Sequence, residues 1–212
     1  MQAFFKPGSV VLFQGDSITD CGRTREADLP LGNGYARKVA DIYTELFPQQ
    51  QLTFINKGVS GSRSIDLLER YEADFKDCRP DFISLLIGVN DVWRRFDRNM
   101  PTTAQEFFDH CDTYIRRLRS DFPRAKLMML EPFVRYSLPD RRQWRDDLNE
   151  KIEAYRFLAE KYADYYVPLD GLFTQWCCSG FTQEQLLPDG VHPSEQGHSL
   201  IAQEYLKTLH IL

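Results

Sequence analysis

Among the 212 residues no uninterrupted apolar run approaches the roughly 18 that a membrane-spanning helix needs. The first eight residues carry a single lysine, and the apolar stretch Val10–Phe13 is too short for the core of a secretory signal. Neither a membrane span nor export by a signal peptide is therefore expected, and a leaderless export route stays open. Positive charge is in deficit: 26 Lys and Arg face 31 Asp and Glu, a net charge of −5. Phosphate backbones are held by a basic field, so nucleic acid is not expected as a partner. Histidine is scarce. The four present, His110, His192, His198 and His210, show no metal-ligand spacing, and no metal is expected. The five cysteines (Cys21, Cys78, Cys111, Cys177, Cys178) form an odd set, and adjacent Cys177 and Cys178 could pair only in a strained ring. Reduced thiols and a cytoplasmic location are expected. Nucleotide and flavin signatures are missing too. The loop after the first apolar run is acidic (Asp16, Asp20), Asn56 stands where a dinucleotide fingerprint would need its first glycine, and there is no P-loop. No cofactor is expected.

What the chain does hold is a core: 42% hydrophobic and 27% charged residues are the balance of a globular protein. Short apolar runs recur at Val10–Gln14, Leu52–Asn56, Phe82–Ile87, Leu127–Leu130 and Tyr165–Pro168. Between them lie stripes at spacings of three and four, which place residues on one helix face. The stripes are Tyr35/Val39/Ile42/Tyr43/Leu46, Ile65/Leu68/Tyr71/Phe75, Phe107/Cys111/Tyr114/Ile115/Leu118, Leu148/Ile152/Tyr155/Leu158 and Leu200/Ile201/Tyr205/Leu209. Strand and helix alternating five times predict an α/β domain with a parallel sheet covered on both faces. With no repeat, linker or low-complexity tract, residues 1–212 are expected to form a single domain. The stretch from Glu131 to Arg142 is expected to be a loop.

Open α/β sheets bind ligands past the carboxyl ends of their strands. Four unusual segments fall there: Gly15-Asp16-Ser17, Lys57-Gly58-Val59-Ser60-Gly61, Gly88-Val89-Asn90-Asp91 and Asp189-Gly190-Val191-His192. A serine hydroxyl needs a base to become a nucleophile. His192 is a candidate base, and Asp189, three residues before it, can hold the imidazole's Nδ1–H while Nε2 faces Ser17. Acyl transfer also needs donors for a tetrahedral oxyanion. The backbone N–H groups of Ser17 and Gly58 and the side-chain amide of Asn90 are the candidates. Asp16 and Asp91 can orient these loops by hydrogen bonding.

In these blocks (Phe13 to Asp20, Asn56 to Gly61, Gly88 to Asp91, Asp189 to Pro193) the sequence resembles the SGNH (GDSL) hydrolases. The family's namesake residues match Ser17, Gly58, Asn90 and His192, with Asp189 as the triad acid. Ser17 to Arg23, Gly34-Tyr35 and Asn90 to Arg94 look like the intracellular acetylxylan esterase branch of bacterial carbohydrate esterases. The resemblance implies a flavodoxin-like three-layer α/β/α fold with a five-stranded parallel sheet in order 2-1-3-4-5, no metal, and deacetylation of sugar esters. A homo-oligomer is compatible with it. From Pro101 to Leu187 the match is mainly in the strand–helix rhythm, so no substrate contact is carried over there.

The rims of the expected site are polar and aromatic (Trp93 to Asp97; Arg135 to Arg145 with Tyr136 and Trp144), which suits sugars. Asp16, Tyr35, Trp93 and Arg94 are the candidate substrate contacts, with packing an equal reading for Trp93. A short acyl group on a small-molecule or oligosaccharide alcohol is expected, because no loop supplies an apolar channel for a long chain. A lysophospholipase, thioesterase or arylesterase of the same family is the competing expectation. A scaffold without catalysis is a further one.

Overall fold

The computed structural model describes residues 2–24 and 30–212. Five strands form one sheet: β1 (Val10–Gly15), β2 (Thr53–Asn56), β3 (Phe82–Leu86), β4 (Lys126–Leu130) and β5 (Tyr165–Val167). All pairings are parallel and the order is β2-β1-β3-β4-β5. The flavodoxin-like expectation holds, and each strand lies within two residues of its predicted span. The helices are α1 (Ser17–Asp20), α2 (Tyr35–Leu46), α3 (Ser64–Glu69), α4 (Tyr71–Phe75), α5 (Val89–Arg98), α6 (Ala104–Asp121), α7 (Arg145–Tyr162), α8 (Leu169–Cys178), α9 (Gln183–Leu186) and α10 (Glu195–Thr208).

The strands are apolar on both faces because both are covered. Alternate residues enter two cores. Val11, Phe13, Phe82, Met128 and Val167 pack with Tyr35, Val39 and Tyr43 of α2, with Ile201 and Tyr205 of α10, and with Phe173 of α8. Leu12, Ile83, Leu85, Leu127 and Met129 pack with Leu67, Tyr71 and Phe75, with Phe107, Tyr114 and Leu118 of α6, and with Tyr155 and Leu158 of α7. Helix starts are fixed locally: Thr103 and Glu106 form a reciprocal cap on α6, and the Ser194 side chain accepts from Gly197 N–H at α10.

Two readings are corrected. The stripe from Ile65 to Phe75 is not one helix; it divides into α3 and α4 at Arg70. The Arg70 guanidinium turns inward and donates to Lys57 O (2.7 Å), Gly15 O (2.9 Å), Gln14 Oε1 (3.0 Å) and Asp74 Oδ2 (2.6 Å). The segment after Glu131 is not wholly a loop, since Pro139–Trp144 forms a 3-10 turn leading into α7. Among the described residues no helix is long and apolar enough to cross a membrane.

Candidate active site

β1 ends at Gly15, and Asp16 caps the short helix that follows by accepting the Ile18 N–H at 3.0 Å. This sets Ser17 in the first position of α1, where the backbone N–H has no acceptor within the helix. Its Oγ lies 2.9 Å from His192 Nε2. The loop before α10 brings the histidine there through a tight turn around Asp189. Asp189 Oδ1 accepts the N–H groups of Val191 (2.9 Å) and His192 (2.7 Å), and Oδ2 lies 2.7 Å from His192 Nδ1. A carboxylate only accepts, so Nδ1 carries the proton and Nε2 is left to accept from the Ser17 hydroxyl. The turn depends on Gly190, whose φ is +83° and whose missing Cβ would stand 2.4 Å from Arg135 O.

The charges follow this geometry. Asp189 is pulled down to about 2: partial burial opposes ionisation, but hydrogen bonds from His192 and the turn amides outweigh it. His192 is raised above its ordinary value, chiefly by the hydrogen bond to Asp189 and against partial burial, with Arg141 nearby working the other way. Asp16 is buried and its carboxyl is pushed up to about 7 by that burial; among the described residues its Oδ2 has no hydrogen-bond partner.

Arg141, in the Pro139–Trp144 turn, supports the histidine loop from behind. Its Nε donates to Asp189 O at 3.0 Å, and its guanidinium lies 4.0 Å from the Trp144 ring centroid and 5.0 Å from that of Trp93. Trp93 completes this wall, its ring 5.8 Å from the His192 ring and 5.2 Å from Trp144. Arg141 lies in the stretch from Arg135 to Arg145 expected at the rim, but it is buried behind the site and does not stand at its edge.

Asn90 lies in the first turn of α5, three residues before Trp93, buried, with Nδ2 donating to Ser62 O at 3.2 Å. Its neighbour Asp91 takes the Ser64 N–H (2.9 Å) and hydroxyl (2.6 Å), tying the start of α3 to α5; burial pushes Asp91 up to about 6. The Ser64 hydroxyl is thereby committed as donor, so it accepts from His110 Nδ1 at 3.0 Å. Gly58 is packed against α1: a Cβ there would meet Asp20 N at 2.3 Å. The neighbouring backbone of α1 alone thus requires glycine at this position. The Gly58 N–H donates to Asn56 Oδ1 at 2.8 Å.

The candidate substrate contacts divide. Tyr35 is fully buried, with its hydroxyl 2.9 Å from Thr19 Oγ1 and its ring against Phe13 and His198; it fastens α2 and is not at the rim. Asp16 is likewise interior, as the cap of α1 requires. Trp93 is half-buried with Arg94 and Arg141 beside its ring. Arg94 donates to Asn90 and Asp97. His198 is no second base. Its Nδ1 accepts the Tyr35 N–H (3.1 Å), so the neutral ring carries its proton on Nε2, 3.3 Å from Cys21 Sγ, and burial lowers it to about 4. Among the described residues no group of three or more His, Cys, Asp or Glu is placed to hold a metal ion.

Comparison with known proteins places the chain in a family. Residues 13–200 match the model of the GDSL-like lipase/acylhydrolase family. An acetylxylan esterase of Geobacillus stearothermophilus is 30% identical over 95% of this chain and 94% of that protein. A putative GDSL-like lipase from Parabacteroides merdae superposes with a TM-score of 0.91 at 29% identity, covering 98% of both chains. Axe2, an acetylxylan esterase from Geobacillus stearothermophilus, superposes with a TM-score of 0.85 at 27% identity, over 98% of this chain and 97% of that one. That structure is a catalytic mutant with serine replaced by alanine, and two further catalytic mutants of Axe2 replace an aspartate and a histidine.

Proposed function

The chain belongs to the GDSL-like lipase/acylhydrolase family and is a carboxylic ester hydrolase, and from that premise we propose that it removes short acyl groups, acetyl foremost, from carbohydrate esters by way of an acyl-enzyme. The observation that carries the reading is the pair of hydrogen bonds linking Ser17 to His192 and His192 to Asp189. The three catalytic positions of Axe2 are of the same residue types, and its aspartate and histidine have the spacing of Asp189 and His192.

In this mechanism Ser17 Oγ attacks the ester carbonyl carbon while its proton passes to His192 Nε2. Asp189 stabilises the imidazolium and keeps the ring in register. The carbonyl oxygen becomes an oxyanion facing the Ser17 N–H and the Asn90 amide. The Gly58 N–H, which Asn56 Oδ1 accepts in the resting site, joins them only by sharing its hydrogen. Collapse of the tetrahedral species breaks the ester C–O bond, and the departing alcohol takes the proton from His192. Water then gives a proton to His192 as it attacks the acyl carbon, and a second collapse frees the carboxylic acid and restores Ser17.

Short acyl groups are favoured because the side chains tied to Ser17 and His192 are polar or aromatic: Asp189, Arg141 and Trp93. The polar alcohol side is assigned to sugars on the same ground and on the activity of the Geobacillus relative. Five unpaired thiols suit a reducing cytoplasm as the place of action. An acetate-release screen with acetylated xylosides, acetylated amino sugars and p-nitrophenyl esters of graded length tests the reading. Turnover of acetylated sugars with a steep fall beyond short acyl chains is expected. Preference for long-chain or thioester substrates would replace it with a lysophospholipase or thioesterase.

A further inference from the structure

We infer that Arg94 is a positioning residue that fixes the carboxamide of Asn90 with its N–H toward the ester oxygen, rather than a contact for substrate. The inference rests on the reading of Asn90 as an oxyanion donor. Asn90 and Arg94 are four residues apart on α5 and so share a face. Arg94 Nη2 donates to Asn90 Oδ1 at 3.1 Å, and Asn90 Nδ2 donates to Ser62 O at 3.2 Å.

A carboxamide can be turned over at little cost in shape, so its neighbours decide which end is which. Here both neighbours decide alike. A guanidinium has donors only, and a backbone carbonyl oxygen accepts only. Turning Asn90 over would set NH2 against Arg94 and oxygen against Ser62 O, losing both bonds at a buried site. With the amide held this way, Nδ2 spends one hydrogen on Ser62 and keeps the second for a ligand. In the opposite orientation Oδ1 would face the developing oxyanion and repel it.

Arg94 is itself held in place. Its Nη1 donates to Asp97 one turn on, and the guanidinium lies 5.6 Å from the Trp93 ring centroid. The Arg94 side chain is only 14% exposed. Both terminal nitrogens are thus engaged within the protein. A cation behind the amide carbonyl also draws electron density from it and makes the N–H a stronger donor, which matters most when full charge forms on the substrate oxygen. Ground-state binding of a neutral ester gains little from this.

The test is steady-state hydrolysis of p-nitrophenyl acetate by the full chain and four variants: Arg94→Met, Arg94→Lys, Asn90→Ala and the double variant Arg94→Met/Asn90→Ala. Arg94→Met is expected to lower kcat about 10- to 100-fold, as loss of a residue supporting a reacting group does, with KM within about twofold. Arg94→Lys, which keeps a cationic donor on a similar stem, restores part of that loss. In the Asn90→Ala background Arg94→Met has no further effect, because nothing remains to orient. Arg94→Gln serves in place of the methionine variant if that does not fold. A raised KM with unchanged kcat would make Arg94 a substrate contact and overturn the inference, as would losses that multiply in the double variant. Full kcat in Asn90→Ala would instead remove the underlying oxyanion reading, a result independent of any Arg94 variant.

Discussion

Ser17 Oγ and His192 Nε2, 175 positions apart in the chain, stand 2.9 Å from one another. One hydroxyl follows the first strand and the imidazole precedes the last helix, and the parallel sheet brings both to its carboxyl edge. Replacing Ser17 by alanine removes the nucleophile and little else, since the cap of α1 is made by Asp16. Ester turnover is expected to fall by at least about 10³-fold. Thermal melting should stay within a few degrees of the wild type, and labelling by a fluorophosphonate should vanish. Wild-type hydrolysis by the purified variant would refute the role of Ser17.

The pH profile follows from His192. The ring is useful as a base only when neutral, and Asp189 raises its pKa above the ordinary value of about 6.5. The acid limb of kcat/KM should therefore have its midpoint above 6.5, with activity rising as pH rises through it. Asp189→Asn removes the cause and should shift that midpoint downward while lowering kcat. A midpoint at or below 6.5 in the wild type would contradict the coupling.

Asp16 offers a stability test. Burial raises its carboxyl from 3.8 to about 7, so the folded state holds a proton that the unfolded state has released across that interval. Stability tied to this proton is present in full below pH 3.8 and is lost as pH rises to about 7. Asparagine resembles the protonated acid and has nothing to lose. The melting temperature of Asp16→Asn relative to wild type should climb between about pH 4 and pH 7 and level off above. A difference independent of pH would show that the carboxyl is not so perturbed.

Gly58→Ala places a methyl 2.3 Å from the Asp20 amide nitrogen, a backbone atom with no room to yield. Overpacking of this kind costs about 1–3 kcal/mol. Urea unfolding should report a loss of that size. Because the displaced backbone is that of α1, kcat should fall as well. An unchanged unfolding midpoint would mean that the loop relaxes freely.

Strand positions were legible because runs buried on both faces leave an apolar signature of the right length. Ser17, Asp189 and His192 were legible because their spacing and their place after strands serve one chemistry. The break of the second stripe at Arg70 was not, since periodicity cannot reveal that a guanidinium turns inward to collect carbonyls of β1 and the next loop. Arg141 was legible as part of the rim stretch from Arg135 to Arg145 but its burial was not: charged residues in a loop usually face water, and its burial depends on two tryptophans distant or offset in sequence. Tyr35, a candidate substrate contact in the sequence, has its ring and hydroxyl in the core, because a short motif does not distinguish a ligand contact from a core ring. The Asn90–Arg94 spacing was visible as four residues, but its meaning required knowing that α5 begins at Val89.

The order in which the sheet is threaded has a consequence for synthesis. A ribosome releases Ser17 well before His192, with β2, β3, β4 and β5 still to be laid down between them. A growing chain thus displays its serine long before any partner exists to strip its proton. The serine therefore gains its imidazole partner only when the loop carrying His192 docks at the sheet.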